Sequence, residues 1–389
     1  MTSFYLGRNF HFESIKNRKR EIIMTVKTMS STQSFNHYLD IFIADGEYRK
    51  VKSTKNGEQP RINRLRKIFG KDDLRSIKHS TLRMTIAGWH SHLKNKTINE
   101  HLTILRFVFS TGLADQIIDH NPMENIKNLL VEKTEPDPFT KIEIARLSNC
   151  NDVCPQVKNA TALDILTGLR ISELIALCWD DVDWKNKKLY VRRACVLDVY
   201  KCPKTTDSVR DVDLNPLAIS ILKSQLKLMG KRRSKTVNVL QRDNKTLKQE
   251  SLNFIFVNTK TNQPFTDVKE FTERFFKNYL IASGVRHRGV GQLRHTFASQ
   301  CLTAGINKEW LAQQMGHSDT KMIDRHYGKW IREDSSDCSL QAARHLQDSF
   351  GLLIPDSDVK LPFATKLALD ASQKFQAPQQ QESVMESAR

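Results

Sequence analysis

Three short blocks of this sequence carry groups able to work on a phosphodiester. TGLRISEL holds Arg170, GQLRHTF holds Arg294, and MGHSDTKMIDRHYGKW holds Tyr327. A phenol is a nucleophile for phosphorus, and guanidiniums bind nonbridging phosphate oxygens in pairs while staying charged at any working pH. His317 adds a hydrogen-bond donor, and Lys204 in PKTTDSVR offers an ammonium between two strand-like segments. Cleavage takes a nucleophile, neutralisation of phosphate charge and a proton for the departing oxygen, and these five residues supply candidates for all three. Taken singly, each has a plainer reading. Arg170 would cap a helix or pair with Glu173, Arg294 would be a surface ion-pair partner, Lys204 one lysine among many, and Tyr327 an amphipathic core residue. Their order and setting favour the joint, chemical reading.

The elements that must position these groups can be read from periodicity. Arg170 lies where the apolar helix LDILTGL ends and ISELIALCW begins, and Arg294 precedes the helical HTFASQCLTAG. LYVRRACV (189–196) and VRDVDL (209–214) read as strands with PKTTDS as the turn between them, which sets Lys204 on a hairpin. FIFVN (254–258) reads as a further strand, followed by helices to about 347. Thr140 and Glu143 form a capping box that opens a helix. Just before it, VEKTEPDPFT combines prolines and charges without apolar periodicity.

Upstream, Phe35, Tyr38, Leu39 and Phe42 fall on one helical face, as do Ile98, Leu102, Leu105 and Phe109. Between them lie Lys50, Lys52, Lys55, Arg61, Arg64, Arg66 and Lys67, either a solvated face or a set of phosphate contacts; the basic balance of the chain favours phosphate. The expected organisation is a basic arm at 1–30, a helical DNA-binding domain at 31–131, a linker at 132–139, a catalytic domain at 140–347 and a loosely ordered tail at 348–389. The fold class is multidomain and mainly α, with a small antiparallel β-sheet.

Lys and Arg exceed Asp and Glu by 61 to 43 in 389 residues, a net charge of +18 that calls for a polyanion as partner. Composition alone does not choose between nucleic acid and an anionic membrane. No apolar run approaches the ~20 residues that span a bilayer, and the N-terminus lacks the apolar core of a secretory signal, so the expected location is cytoplasmic, with no membrane partner. Seven scattered cysteines suit free thiols in a reducing compartment. Cys150 and Cys154 lack a second pair at zinc-site spacing, so no metal site is expected.

In their order, the blocks TGLRISEL, PKTTDSVR, LRHTFAS and MGHSDTKMIDRHYG resemble the tyrosine recombinase family, the phage integrases. The resemblance covers 140–330 as catalytic domain and, more weakly, 33–131 as the helical core-binding domain. It implies that Tyr327 attacks the scissile phosphate to form a 3′-phosphotyrosyl bond and release a 5′-hydroxyl. Arg170 and Arg294 would neutralise the transition state, His317 would donate a hydrogen bond to it, and Lys204 would protonate the leaving oxygen. Glu173 and His295 would orient their neighbours. Neither ATP, a metal nor another cofactor is implied, because the ester energy stays in the protein–DNA linkage. The implied partners are double-stranded DNA attachment sites, further copies of the chain in a tetramer on two sites, and DNA-bending accessory proteins.

One position departs from the family pattern: Gly291 stands where members usually carry a histidine, the group often assigned as base for the tyrosine. Solvent or clustered cations would then take the proton, with His326 a weaker candidate and His295 structural. Two alternatives to an integrase stay open at this point. A resolvase or invertase would use identical chemistry on other DNA, and a catalytically silent DNA-binding protein of the same fold would account for Gly291.

Overall fold

A computed structural model of the chain describes residues 33–132, 134–203, 209–230 and 233–332, and for 328–332 the backbone alone. The basic arm 1–30, Lys204 and the tail 348–389 lie outside the described residues. Ser34 opens the first helix by accepting a hydrogen bond from the His37 N–H. Helices α1 (Phe35–Arg49), α2 (Lys52–Phe69), α3 (His79–His90) and α4 (Asn95–Ala114) then enclose one apolar core. The two expected stripes meet there: Phe35, Tyr38, Leu39 and Phe42 of α1 are buried with Ile98, Leu102, Leu105 and Phe109 of α4.

The basic residues between those stripes are themselves helical. Lys52, Lys55, Arg61, Arg64, Arg66 and Lys67 lie on α2, and Lys50 just precedes it. Four of the seven have carboxylate partners: Lys50 with Glu58 at 2.9 Å, Lys55 with Glu47 at 2.8 Å, Arg66 with Asp40 at 2.6 Å, and Arg61 with Glu100. Lys52 and Lys67 are exposed.

The extended stretch that follows is tied at both ends. Asn95 donates to the Leu130 carbonyl at 2.7 Å, and the Phe139 N–H donates to Thr296 Oγ1 at 2.9 Å. Phe139 is buried in the second, larger core, beneath the Arg288 guanidinium. Beyond it come α5 (Lys141–Asn149), opened by the capping box of Thr140 and Glu143, then α6 (Pro155–Thr167) and the single turn α7 (Ile171–Leu174). Among the described residues there follow β1 (Val182–Asp183), β2 (Lys188–Val191), β3 (Ala194–Val196), β4 (Val199–Lys201), β5 (Arg210–Asp213), α8 (Pro216–Met229), β6 (Lys235–Leu240) and β7 (Leu247–Leu252). A two-stranded ribbon, β8 (Val257–Asn258) and β9 (Gln263–Pro264), leads to a helix over 268–282 with a π turn at Thr272–Phe276, labelled α9. The described part closes with α10 (Gln292–Thr303), α11 (Lys308–Met315) and α12 (Lys321–Arg332). Among the described residues no helix is long and apolar enough to cross a membrane.

The strands form two main sheets, with orders β1-β2-β5 and β3-β4-β6-β7, and β4 runs parallel to β6. Of the two strands expected at 189–196 and 209–214, the segments 188–191 and 210–213 do pair antiparallel, with Leu189 opposite Val212. LYVRRACV is nevertheless not one strand. It breaks at Arg192 and Arg193 because Arg193 turns inward to a buried pair with Asp181 at 2.6 Å and to Glu250 at 2.9 Å, and the chain passes from one sheet to the other. The hairpin expected around Lys204 is correspondingly longer, since β3 and β4 lie inside it. In FIFVN, Val257 and Asn258 form the strand β8, whereas Phe254 makes an isolated antiparallel bridge to Cys178 and the Ile255 N–H donates to the Leu177 carbonyl at 2.9 Å; Phe254, Ile255 and Phe256 are all buried.

Candidate active site

Helix α6 ends at Gly168, whose φ of +61° is the left-handed conformation that glycine adopts without penalty. A Cβ there would come within 2.2 Å of the Phe297 ring on α10, so the same glycine also sets how closely the two helices approach. The tight exit makes Arg170 the N-cap of α7, where its own N–H donates to Glu173 Oε2 at 2.9 Å.

Three guanidiniums gather at the C-terminal end of α11. Arg210 Nε donates to the Gln314 carbonyl at 2.7 Å, Arg294 to the Met315 carbonyl at 2.6 Å, and Arg170 to the Gly316 carbonyl at 3.4 Å. These carbonyls belong to the last turn and cap of a helix, where they lack intrahelical partners and carry the negative end of the helix dipole. Arg294 also donates to the Gly168 carbonyl at 2.5 Å, which ties α10 to the end of α6. Glu173 completes the set, accepting from Arg170 at 2.8 Å and from Arg210 at 3.0 Å. The sheet and α11 are locked together by Asp213, which accepts from Trp310 Nε1 at 2.9 Å and from Gln314 Nε2 at 3.1 Å.

The electrostatics follow from this packing. Burial would raise the Glu173 carboxyl, but Arg210 and Arg170 outweigh it and hold it below its usual range. Three guanidiniums thus face one ionised carboxylate, an excess of positive charge at a site where Arg170 keeps 39% of its side chain exposed. Burial, reinforced by Arg170, pulls Arg294 down to about 10, which leaves it charged at neutral pH. Asp164 on α6 does not offset the excess, because burial pushes its carboxyl well above the usual range. Such a cluster is complementary to the negative charge on the nonbridging oxygens of a phosphodiester in its transition state.

His317 accepts a hydrogen bond at Nε2 from Arg294 at 3.0 Å, which leaves the ring proton on Nδ1. Burial, followed by Arg294, Arg170 and Arg210, lowers its pKa to about 4, so it is a neutral donor. Tyr327 is 2% exposed in the apolar cluster of α10, α11 and α12 with Phe297, Leu311, Met315 and Ile323. Burial raises its phenol to about 12, against the opposing pull of Arg294.

Arg170, Arg294, Glu173, His317 and Tyr327 are therefore brought together, while Lys204 lies outside the described residues. The basic residues of α2 belong to the other core and are not part of this cluster. Two features went unseen in the sequence. Arg210, within the PKTTDSVR block, joins the arginine cluster as a third guanidinium. His295, expected to be structural, has its Nδ1 in hydrogen-bond contact with the Tyr327 hydroxyl, whereas His326 is exposed.

Residues 139–330 match the model of the phage integrase family. In Escherichia coli K12, the chain is 33% identical over 253 residues to the putative defective protein IntQ, covering 62% of this chain and 61% of that one. It is 34% identical over 239 residues to the prophage integrase IntR of the same strain, covering 60% and 56%. The chain thus spans about three fifths of the length of these curated relatives. The fold is shared with the Tn1549 transposon integrase in complex with a circular intermediate DNA, at a TM-score of 0.63, 23% identity, and coverage of 82% of this chain and 100% of that one. The matched segment, a little under half of the chain, contains every side chain of the cluster described above, so the cluster lies in a domain that matches the phage integrase family.

Proposed function

We propose that this chain is a site-specific DNA recombinase, an integrase that inserts and excises a phage or other mobile element. The observation that carries the reading is the set of three guanidiniums held by the α11 carbonyls and Glu173, with a buried tyrosine hydroxyl in the field of Arg294. Tyr327 Oη attacks the scissile phosphorus, the bond to the 5′ oxygen breaks, and a 3′-phosphotyrosyl ester holds the energy needed for rejoining. Arg170 and Arg294 bind the nonbridging oxygens, and the His317 Nδ1–H donates to one of those oxygens. Lys204 supplies the proton to the 5′ oxygen. Attack by a residue this buried requires α12 to shift when DNA seats.

Conservative exchange uses two duplex attachment sites and two protomers on each, so a tetramer forms on DNA in the cytoplasm, with DNA-bending accessory proteins where the sites must be looped. The basic residues of α2 contact phosphates along the duplex. The test is a nicked suicide duplex bearing the sequence that the wild-type chain selects by binding from a random pool. A covalent adduct resistant to detergent is expected with wild type and none with Tyr327→Phe. Ordinary binding without an adduct from wild type would leave the silent DNA-binding reading in its place.

A further inference from the structure

We infer that His295 takes the phenolic proton of Tyr327 as the tyrosine attacks phosphorus, an assignment that rests on the recombinase reading above. The two side chains come from helices that pack together, α10 and α12, and His295 Nδ1 is in hydrogen-bond contact with the Tyr327 hydroxyl. Their rings are tilted by 47° with centroids 5.5 Å apart. With its own proton on Nε2, the imidazole presents a lone pair at Nδ1 and the phenol donates to it.

The other groups around the hydroxyl do not fit that role. In the arrangement described, Tyr327 is buried and its hydroxyl already meets His295 Nδ1, so the imidazole is in place before any water. Arg294 lowers the phenol's pKa but has no lone pair to accept a proton. His326 immediately precedes Tyr327 on α12 and is exposed; adjacent helical residues point about 100° apart, and its ring centroid is 6.4 Å from that of Tyr327. Position 291, the N-cap of α10 and four residues before His295, is glycine, and a Cβ there would meet nothing within 4 Å.

The groups facing His295 suit it to the task. Burial, then Arg294 on its own helix and His326 on α12, hold its pKa below the ordinary histidine value, so it is an unprotonated acceptor at neutral pH. The phenol holds its proton far more tightly than this imidazole would. A phenolate–imidazolium pair is therefore not the resting state, and the proton moves in the same step as the new bond. In that step the Tyr327 O–H bond breaks, its proton passes to Nδ1, the Oη–P bond forms and the bond from phosphorus to the 5′ oxygen breaks. On rejoining, the imidazolium returns the proton to the departing Tyr327 oxygen.

The test has one part without DNA and one with it. In ¹⁵N-histidine spectra of the full chain, His295 should show a protonated Nε2 and an acceptor Nδ1 whose shift changes in Tyr327→Phe. In single-turnover cleavage of the nicked suicide duplex described above, His295→Asn keeps a polar group near the hydroxyl but cannot take its proton. It should bind DNA normally and cleave about 10²- to 10⁴-fold more slowly, with a rate that keeps rising with pH where wild type is flat. His295→Ala should be rescued by added imidazole in proportion to its unprotonated fraction, which a merely structural role would not produce. Cleavage by His295→Asn within threefold of wild type, or an Nδ1-protonated tautomer with no imidazole rescue, would overturn the assignment while leaving the recombinase reading in place. Absence of an adduct from wild type would remove both.

Discussion

Glu173 and Arg210, 37 residues apart in the chain, form an ion pair at 3.0 Å with each side chain only 4% exposed, and the same carboxylate holds Arg170. Removing one member of a buried pair leaves the other charge without compensation, at a cost of about 3–5 kcal/mol. Glu173→Gln should therefore lower the unfolding free energy by about that amount, measured by urea denaturation. Arg210→Met should do the same, and the double variant should cost less than the sum of the two. A fully additive result would mean that the pair does not couple the sheet to α7.

The pair also sets a pH dependence. Glu173 has a depressed folded pKa, so its contribution is present above the unfolded value, roughly 4.3, and is lost as pH falls through the folded value. Acid denaturation of the wild type should lose stability below about pH 4. Glu173→Gln should show a shallower loss over that window, and an unchanged slope would count against the ion pair.

Gly168→Ala should be destabilising for two separable reasons. The φ of +61° costs a residue with a Cβ about 1–3 kcal/mol, and the Cβ would stand 2.2 Å from Phe297 Cδ1, an overpacking of about 1–3 kcal/mol more. Combining it with Phe297→Leu should relieve the second part and not the first. Thermal melts of the three variants check this, and complete recovery in the double variant would show that backbone conformation is not a constraint there.

What could be read from the sequence was what local chemistry encodes. The stripes of α1 and α4 are amphipathic at helical period, and the Thr140 and Glu143 cap is a four-residue pattern, so both are visible without a fold. Arg210 was not: alternation sets it on the face of Val212 and Leu214, but nothing local supplies the partners that a buried guanidinium needs. They are in place only once β5 pairs with β2 and packs on α11, where the Gln314 carbonyl receives it. Arg193 misled in the same way, its buried pair with Asp181 splitting what looked like one strand. The contact of His295 with Tyr327 spans 32 residues and depends on how α10 and α12 pack, which no local pattern records.

The basic helix α2 offers a test of DNA contact by salt dependence. Lys52 and Lys67 are exposed, whereas Lys55 and Arg66 already face Glu47 and Asp40. Each phosphate contact contributes about 0.9 to the slope of log K against log salt concentration. Lys52→Ala and Lys67→Ala should each reduce the slope by about that much, and Lys55→Ala and Arg66→Ala by less. Slopes equal to wild type for both exposed lysines would place α2 away from the duplex.

Asp164 gives the opposite pH signature to Glu173. It is 1% exposed, its Oδ1 has no hydrogen-bond partner among the described residues, and burial, against the pull of Arg294, raises its carboxyl well above the ordinary value. The folded state therefore keeps this proton at a pH where the unfolded chain, with a carboxyl near 3.9, has released it. Its contribution to stability is fully present below the unfolded value and declines as pH rises towards the folded one. Asp164→Asn abolishes that titration while nearly preserving shape. The variant should match wild type near pH 3 and become progressively the more stable of the two as pH rises to neutrality, because only the wild type releases a proton on unfolding there. Urea denaturation at several pH values measures the difference. A gap that stayed constant across that range would show that the carboxyl does not titrate on unfolding, and a wild type gaining on the variant with pH would mean that Arg294 holds it ionised.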